Sequence, residues 1–270
     1  MIDSEKSIGI FDSGIGGLTV ANAVLRELPN ENLIYFGDTA HLPYGDKSPE
    51  TIQFFSKTIG EFLLFKDCKL IIIACNTASS VAYELLQEMA IDKAIVVDVI
   101  NPVVDYTINK GFKKVGIIGT QGTINTGAYQ KKINEKNPNI DVVSLATPLL
   151  APMIESGFSN GQISKLVIEE YLKNPMFIGI DALILGCTHY PLIKKEVEEF
   201  FHNNKIEILA TNEIIGQHVK KIIEEKNLNR KGSGGKHKFY VSDYTENFAK
   251  ATKLFYGESV DLVKLQITKE

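Results

Sequence analysis

Short uninterrupted apolar runs alternate along this chain with longer stretches in which apolar side chains recur every three or four positions. The first pattern predicts strands buried on both faces, and the second predicts helices with one buried face. Ile8-Gly9-Ile10-Phe11 reads as the first strand, and the glycine-rich Asp12-Ser13-Gly14-Ile15-Gly16-Gly17 as a turn. Leu18, Ala21, Leu25 and Leu28 then mark one face of a helix that stops before Pro29. After a second strand at Leu33-Ile34-Tyr35-Phe36, Ser48-Pro49-Glu50 supplies a cap, a first-turn proline and an early acid. The helix it opens is expected to bury Ile52, Phe55, Ile59, Phe62 and Leu63.

One pattern occurs twice. The apolar run Leu70-Ile71-Ile72-Ile73-Ala74 ends in Cys75-Asn76-Thr77, and Ala182-Leu183-Ile184-Leu185-Gly186 ends in Cys187-Thr188-His189. Between them lie a helix through Val81, Leu85 and Met89 and strands at Ile95–Val99, Val115–Gly119 and Val142–Leu145. Repeated βα units predict an α/β fold of two pseudo-symmetric, doubly wound, mainly parallel sheets with the active site between them. The expected first domain is discontinuous, 1–100 plus 206–270, and the second, 101–205, is inserted in it. Asn101-Pro102 marks the crossing out and the stretch 200–205 the crossing back, while Asn227–His237 reads as an exposed loop before a strand at Lys238–Val241.

Open α/β sheets bind ligands outside the carboxyl ends of their strands, so both thiols fall where chemistry is expected. Two matched thiols facing one substrate point to a two-base reaction. The cysteine count of 3, with no Cys-x-x-Cys, indicates reduced thiols rather than a disulfide framework. Cys68 precedes its strand without a polar motif and reads as a packed, inert residue. A net charge of −4 gives no basic footprint for nucleic acid or an anionic membrane. The N-terminal residues lack a secretory pattern, and no apolar run approaches the ~20 residues of a membrane span, so a cytoplasmic location is expected.

Four blocks carry a resemblance: Phe11-Asp12-Ser13-Gly14-Ile15-Gly16-Gly17-Leu18-Thr19-Val20, Tyr35-Phe36-Gly37-Asp38-Thr39-Ala40-His41-Leu42-Pro43-Tyr44-Gly45, Ala74-Cys75-Asn76-Thr77-Ala78-Ser79-Ser80 and Gly186-Cys187-Thr188-His189-Tyr190-Pro191-Leu192. In this order the chain resembles the glutamate racemases of the aspartate/glutamate racemase superfamily. The resemblance implies interconversion of L- and D-glutamate without cofactor or metal, supply of D-glutamate for peptidoglycan, and a homodimer. It implies that Cys75 takes the α-proton of D-glutamate and Cys187 that of L-glutamate. Asp12 would stand beside the first thiol as proton acceptor or orienting partner, His189 would serve the second, and Glu155 matches the acidic helper on the Cys187 side. Pro43, Tyr44, Gly45, Thr120 and Thr123 would contact substrate. Ala210-Thr211-Asn212-Glu213 departs from the acidic-small pair of many members before the last helix, so the resemblance assigns no role to Thr211 or Asn212 and leaves the catalytic assignment intact.

The residues support this chemistry on their own terms. Inversion removes a weakly acidic α-proton from one face and returns one to the other, which needs a thiolate and a thiol on opposite faces. A cysteine with an ordinary pKa of about 8.5 can be tuned for this by a helix N-terminus or by hydrogen bonds. Backbone N–H groups at helix starts after Asp12-Ser13, Cys75-Asn76-Thr77 and Cys187-Thr188 are expected to hold the substrate carboxylates. Gly14-Ile15-Gly16-Gly17 is not G-x-G-x-x-G and no P-loop lysine follows, so nucleotide binding is disfavoured. The alternatives are a racemase for aspartate or another amino acid, a non-catalytic sensor of acidic amino acids, and a dithiol redox switch.

Overall fold

Strands made wholly of aliphatic residues form here because helices cover both faces of each sheet. The computed structural model describes residues 2–202 and 205–267. A first series runs β1 (Ile8–Asp12), α1 (Leu18–Glu27), β2 (Leu33–Gly37), α2 (Pro49–Phe65), β3 (Leu70–Ile73), α3 (Asn76–Met89) and β4 (Ile95–Asp98). After α4 (Asn101–Lys110) come β5 (Lys114–Gly119), α5 (Gln121–Thr126), α6 (Ala128–Lys136), β6 (Asp141–Ala146), α7 (Leu150–Glu155), α8 (Gln162–Leu172), β7 (Ala182–Gly186), α9 (Lys194–Phe200) and β8 (Glu207–Ala210). The chain returns through α10 (Thr211–Glu225) to β9 (His237–Val241), α11 (Glu246–Tyr256) and β10 (Leu262–Lys264). In β3 and β7 every residue is buried, as two-sided cover requires.

All strand pairs are parallel, in the orders β10-β9-β2-β1-β3-β4 and β6-β5-β7-β8. The unit β2-β1-β3-β4 is therefore repeated as β6-β5-β7-β8, which is the expected pseudo-symmetry. Register makes the match residue by residue: Ile73 pairs with Asp98 in one sheet, and Leu185 with Ala210 in the other. Each cysteine follows the strand that neighbours its sheet's first strand, where strand order reverses and a crevice opens. One apolar core runs through both units, joining Leu18 and Val20 of α1, Leu150 and Ile154 of α7, and Ile215 and Val219 of α10. Separate clusters fill the outer face of each sheet.

Three expectations need correction. The return expected at 206 comes too early, because β8 pairs with β7 and buries Ile208, Leu209 and Ala210 in the second sheet. Of the stretch 200–205, residues 203 and 204 lie outside the described residues; the chain rejoins the first unit through α10, which packs on α1. On α3 the buried stripe is Ala78, Ala82 and Leu86, with Val81, Leu85 and Met89 half-buried beside it. Phe55 and Phe62 of α2 are likewise half-buried, whereas Ile52, Ile59 and Leu63 are fully covered. Among the described residues no helix is long and apolar enough to cross a membrane.

Candidate active site

The carboxyl ends of the two sheets face a common cavity of about 250 Å³. The first unit contributes Ser13 and Gly14 after β1, Leu42, Pro43, Tyr44 and Gly45 after β2, and Cys75, Asn76 and Thr77 after β3. The second contributes Thr120 after β5, Ala151, Pro152 and Glu155 on α7, and Cys187, Thr188 and His189 after β7. Among the described residues no lysine or arginine lines this space, so an anionic ligand meets hydroxyls, amides and backbone N–H groups, with His189 the one cationic side chain among them. Among the described residues no group of three or more His, Cys, Asp or Glu side chains is arranged to hold a metal ion.

Cys75 is itself the N-cap of α3: its Sγ accepts a hydrogen bond from Ala78 N at 3.4 Å and lies 3.6 Å from Ser13 Oγ. An acceptor at this position meets the unpaired N–H groups and the positive end of a helix. Burial pushes the thiol up all the same, and the neighbouring Asp12 carboxylate adds to it, to about 12. Asp12 ends β1 wholly buried, and burial raises its carboxyl above the ordinary range against the pull of His189. It lies behind the cavity wall. Its hydrogen bonds come from Gly14 N at 3.1 Å and Thr188 Oγ1 at 3.5 Å rather than from Cys75. The expected pairing with the first thiol is thus an electrostatic neighbourhood, and Asp12 bonds across to the second unit.

Cys187 is built differently. No α-helix starts at it; a single turn, closed by Tyr190 N to Cys187 O at 3.1 Å, leads into a 3-10 segment at Tyr190–Ile193. In place of helix N–H groups it has His189, whose Nδ1 lies 3.6 Å from Sγ and whose Nε2 lies 2.7 Å from Glu155 Oε1. Burial works against a charged imidazole here, but the Cys187 sulfur and the Glu155 carboxylate outweigh it and raise His189 to about 10. Thiol, imidazole and carboxylate form a chain in which the imidazole can pass a proton to or from sulfur and the carboxylate fixes its ring.

The family model for Asp/Glu/Hydantoin racemases matches residues 16–219. The glutamate racemase of Geobacter metallireducens is 41% identical over 272 residues, covering 98% of this chain and 99% of its own length. The chain belongs to the glutamate racemase family. These enzymes are isomerases, and solved members share the fold over their whole length. The Francisella tularensis enzyme, in complex with D-glutamate, is 39% identical with a TM-score of 0.92, covering 98% of each chain. The Thermus thermophilus enzyme, in complex with β-chloro-D-alanine, is 36% identical with a TM-score of 0.87, again covering 98% of each.

Against this family background, the remaining predicted residues fall into two groups. Ser13, Pro43, Tyr44, Gly45, Asn76, Thr77, Thr120 and Thr188 line the cavity. Thr123 does not; it is buried in a triangle of hydroxyls with Thr77 at 3.1 Å and Thr120 at 3.0 Å, which ties the units together. Thr120 both lines the cavity and caps α5, accepting from Thr123 N at 3.2 Å. Of the three helix starts expected to hold carboxylates, only α3 begins at its motif, because Gly14–Gly17 intervenes before α1 and a 3-10 turn replaces the third. Thr211 and Asn212 lie at the start of α10, away from the lining residues.

Sequence reasoning missed Gly14, Leu42, Ala151 and Pro152 as lining residues, and missed the anchor behind Tyr44. The buried Asp38 carboxylate accepts from the Tyr44 hydroxyl at 2.6 Å and Ser242 Oγ at 2.8 Å, and pairs with His41 Nδ1 at 2.8 Å. That anchor holds the Pro43–Gly45 loop against the first sheet. The motif Gly37-Asp38-Thr39 stands in the sequence, but the partner of Asp38, Ser242, is 204 positions away and nothing local signals the contact.

Proposed function

We propose that this protein interconverts L- and D-glutamate by a cofactor-independent, two-base mechanism, with Cys75 and Cys187 acting on opposite faces of the α-carbon. The observation that carries this reading is that equivalent strand ends of two pseudo-symmetric units deliver one thiol each to a single small cavity. Family membership and the D-glutamate complex of the Francisella relative support glutamate as substrate. Ser13, Asn76, Thr77, Thr120, Thr188 and the backbone of Pro43–Gly45 hold its two carboxylates and ammonium group. Cys75 removes the α-proton of D-glutamate while the Cys187 thiol donates from the other side, and the roles reverse for L-glutamate. His189 and Glu155 assist Cys187, and Asp12, though bonded to Thr188, acts electrostatically on Cys75. The product D-glutamate serves peptidoglycan synthesis, in the cytoplasm, and the protein works as a homodimer.

The test is to incubate the purified protein with L-glutamate in deuterated water, without added cofactor, and follow optical rotation together with α-deuterium. Inversion with incorporation is expected. Absence of both signals would leave a glutamate-binding protein without racemase activity, and equal turnover of aspartate would overturn the assignment of substrate.

A further inference from the structure

Asn76, the residue after the first thiol, lines the cavity while only 2% exposed, and its two amide atoms are treated very differently. Its Oδ1 accepts a hydrogen bond of 2.7 Å from the Tyr129 hydroxyl, whereas its buried Nδ2 has no partner among the described residues. A buried donor left unpaired is costly, and on a cavity wall a ligand acceptor can complete it. Tyr129 sits on α6 of the second unit, wholly buried, with its ring against Gly186, the residue before Cys187. Burial holds its hydroxyl well above the usual phenol range, so it stays a proton donor throughout the working range.

We infer that Tyr129 is a positioning residue: its hydroxyl fixes the Asn76 amide so that Nδ2, not Oδ1, is offered to a substrate carboxylate. An amide turned the other way would present an oxygen to that carboxylate, a repulsive contact in a cavity whose described lining has no lysine or arginine to offset it. The hydrogen bond ties the segment after Cys75 to α6, and the ring of the same tyrosine packs against Gly186 before Cys187. Both directions of the reaction therefore depend on this tyrosine. This inference rests on the racemase reading above.

The experiment is a double-mutant cycle with Tyr129→Phe and Asn76→Ala, following racemisation from both enantiomers by circular dichroism. Tyr129→Phe is expected to lower kcat/KM roughly tenfold, the scale of one oriented hydrogen bond to a charged group. Most of that loss should fall in KM for both L- and D-glutamate. In the Asn76→Ala background the same change should cost less than twofold, because its target is gone. A merely structural tyrosine would instead add its full loss to that of Asn76→Ala, and that additivity, or an unaltered Tyr129→Phe enzyme, overturns the inference. Asn76→Leu, which keeps the volume, replaces Asn76→Ala if the latter fails to fold. An inactive wild type would sink the racemase reading itself, and this inference with it; an active wild type with additive variants would sink this inference alone.

Discussion

Cys75 and Cys187 end matched strands, yet their surroundings share almost nothing. Cys75 caps a 14-residue helix, meets the Ala78 backbone N–H and the Ser13 hydroxyl, and lies in the field of a buried carboxylate that disfavours its ionisation. Cys187 precedes a 3-10 turn and meets a side-chain chain of imidazole and carboxylate instead. Each strand end sets where a thiol sits; the loop and the partner unit set what surrounds it. The first thiol is held protonated by burial and Asp12, and the second stands against a histidine that keeps its proton up to about 10. On the two-base reading proposed above, this asymmetry makes the two thiols distinguishable by experiment.

The strongest test replaces the bases. Cys75→Ser and Cys187→Ser should each lower kcat/KM for glutamate by about 10²–10⁴-fold, since an alcohol is a far weaker acid-base catalyst than a thiol. A variant retaining more than a tenth of wild-type turnover would remove its cysteine from the mechanism. Next in size are the helpers. His189→Asn and Asp12→Asn should each cost roughly 10²-fold, but on different sides. The primary deuterium isotope effect should grow for L-glutamate in His189→Asn, whose partner is Cys187, and for D-glutamate in Asp12→Asn. If both variants raised the effect for one enantiomer, the two surroundings would not serve separate steps.

A smaller and pH-dependent effect follows for Glu155→Gln. The carboxylate helps hold the His189 charge, which is present below about pH 10 and lost as pH rises through it. Without Glu155 that limb should move to lower pH, so kcat/KM should match wild type to within a few-fold near neutrality and fall earlier on the alkaline side. A pH–rate profile in which both enzymes decline together would detach Glu155 from His189.

The doubly wound sheets and both thiols were legible in the sequence, because two-sided burial writes long aliphatic runs and each run stopped at a cysteine. The differences between the thiols were not. That Cys75 caps a helix and Cys187 does not depends on Pro191 and the turn from Cys187 to Tyr190, which the repeated apolar pattern conceals. The resemblance placed His189 and Glu155 with Cys187, and their 2.7 Å contact spans 34 residues. It could not supply Tyr129, which touches Asn76 across 53 positions and the two units. The residues of β8 were placed with the first domain because three apolar residues after Glu207 carry no signal of which sheet edge they will join.

The smallest effect concerns stability and one position where the two units diverge. Asp98 ends β4 opposite Ile73, and its counterpart opposite Leu185 is Ala210. Asp98 is 1% exposed; Oδ1 accepts from Asn101 N at 3.1 Å, but Oδ2 has no partner among the described residues. Burial raises its carboxyl from 3.8 to about 6. The unfolded chain therefore ionises before the folded one, and wild type loses stability as pH rises from about 4 to about 6, then stays at that lower level. Asp98→Asn keeps the Oδ1 acceptor and removes the charge, so at pH 8 it should be more stable by about 1–2 kcal/mol, less than the full linkage value because the amide must also find a partner. Near pH 4, where the buried acid is already neutral, the two melting curves should coincide. An Asp98→Asn protein less stable than wild type at pH 8 would mean that the ionised carboxylate is held by interactions in the first unit that Ala210 shows the second unit does without.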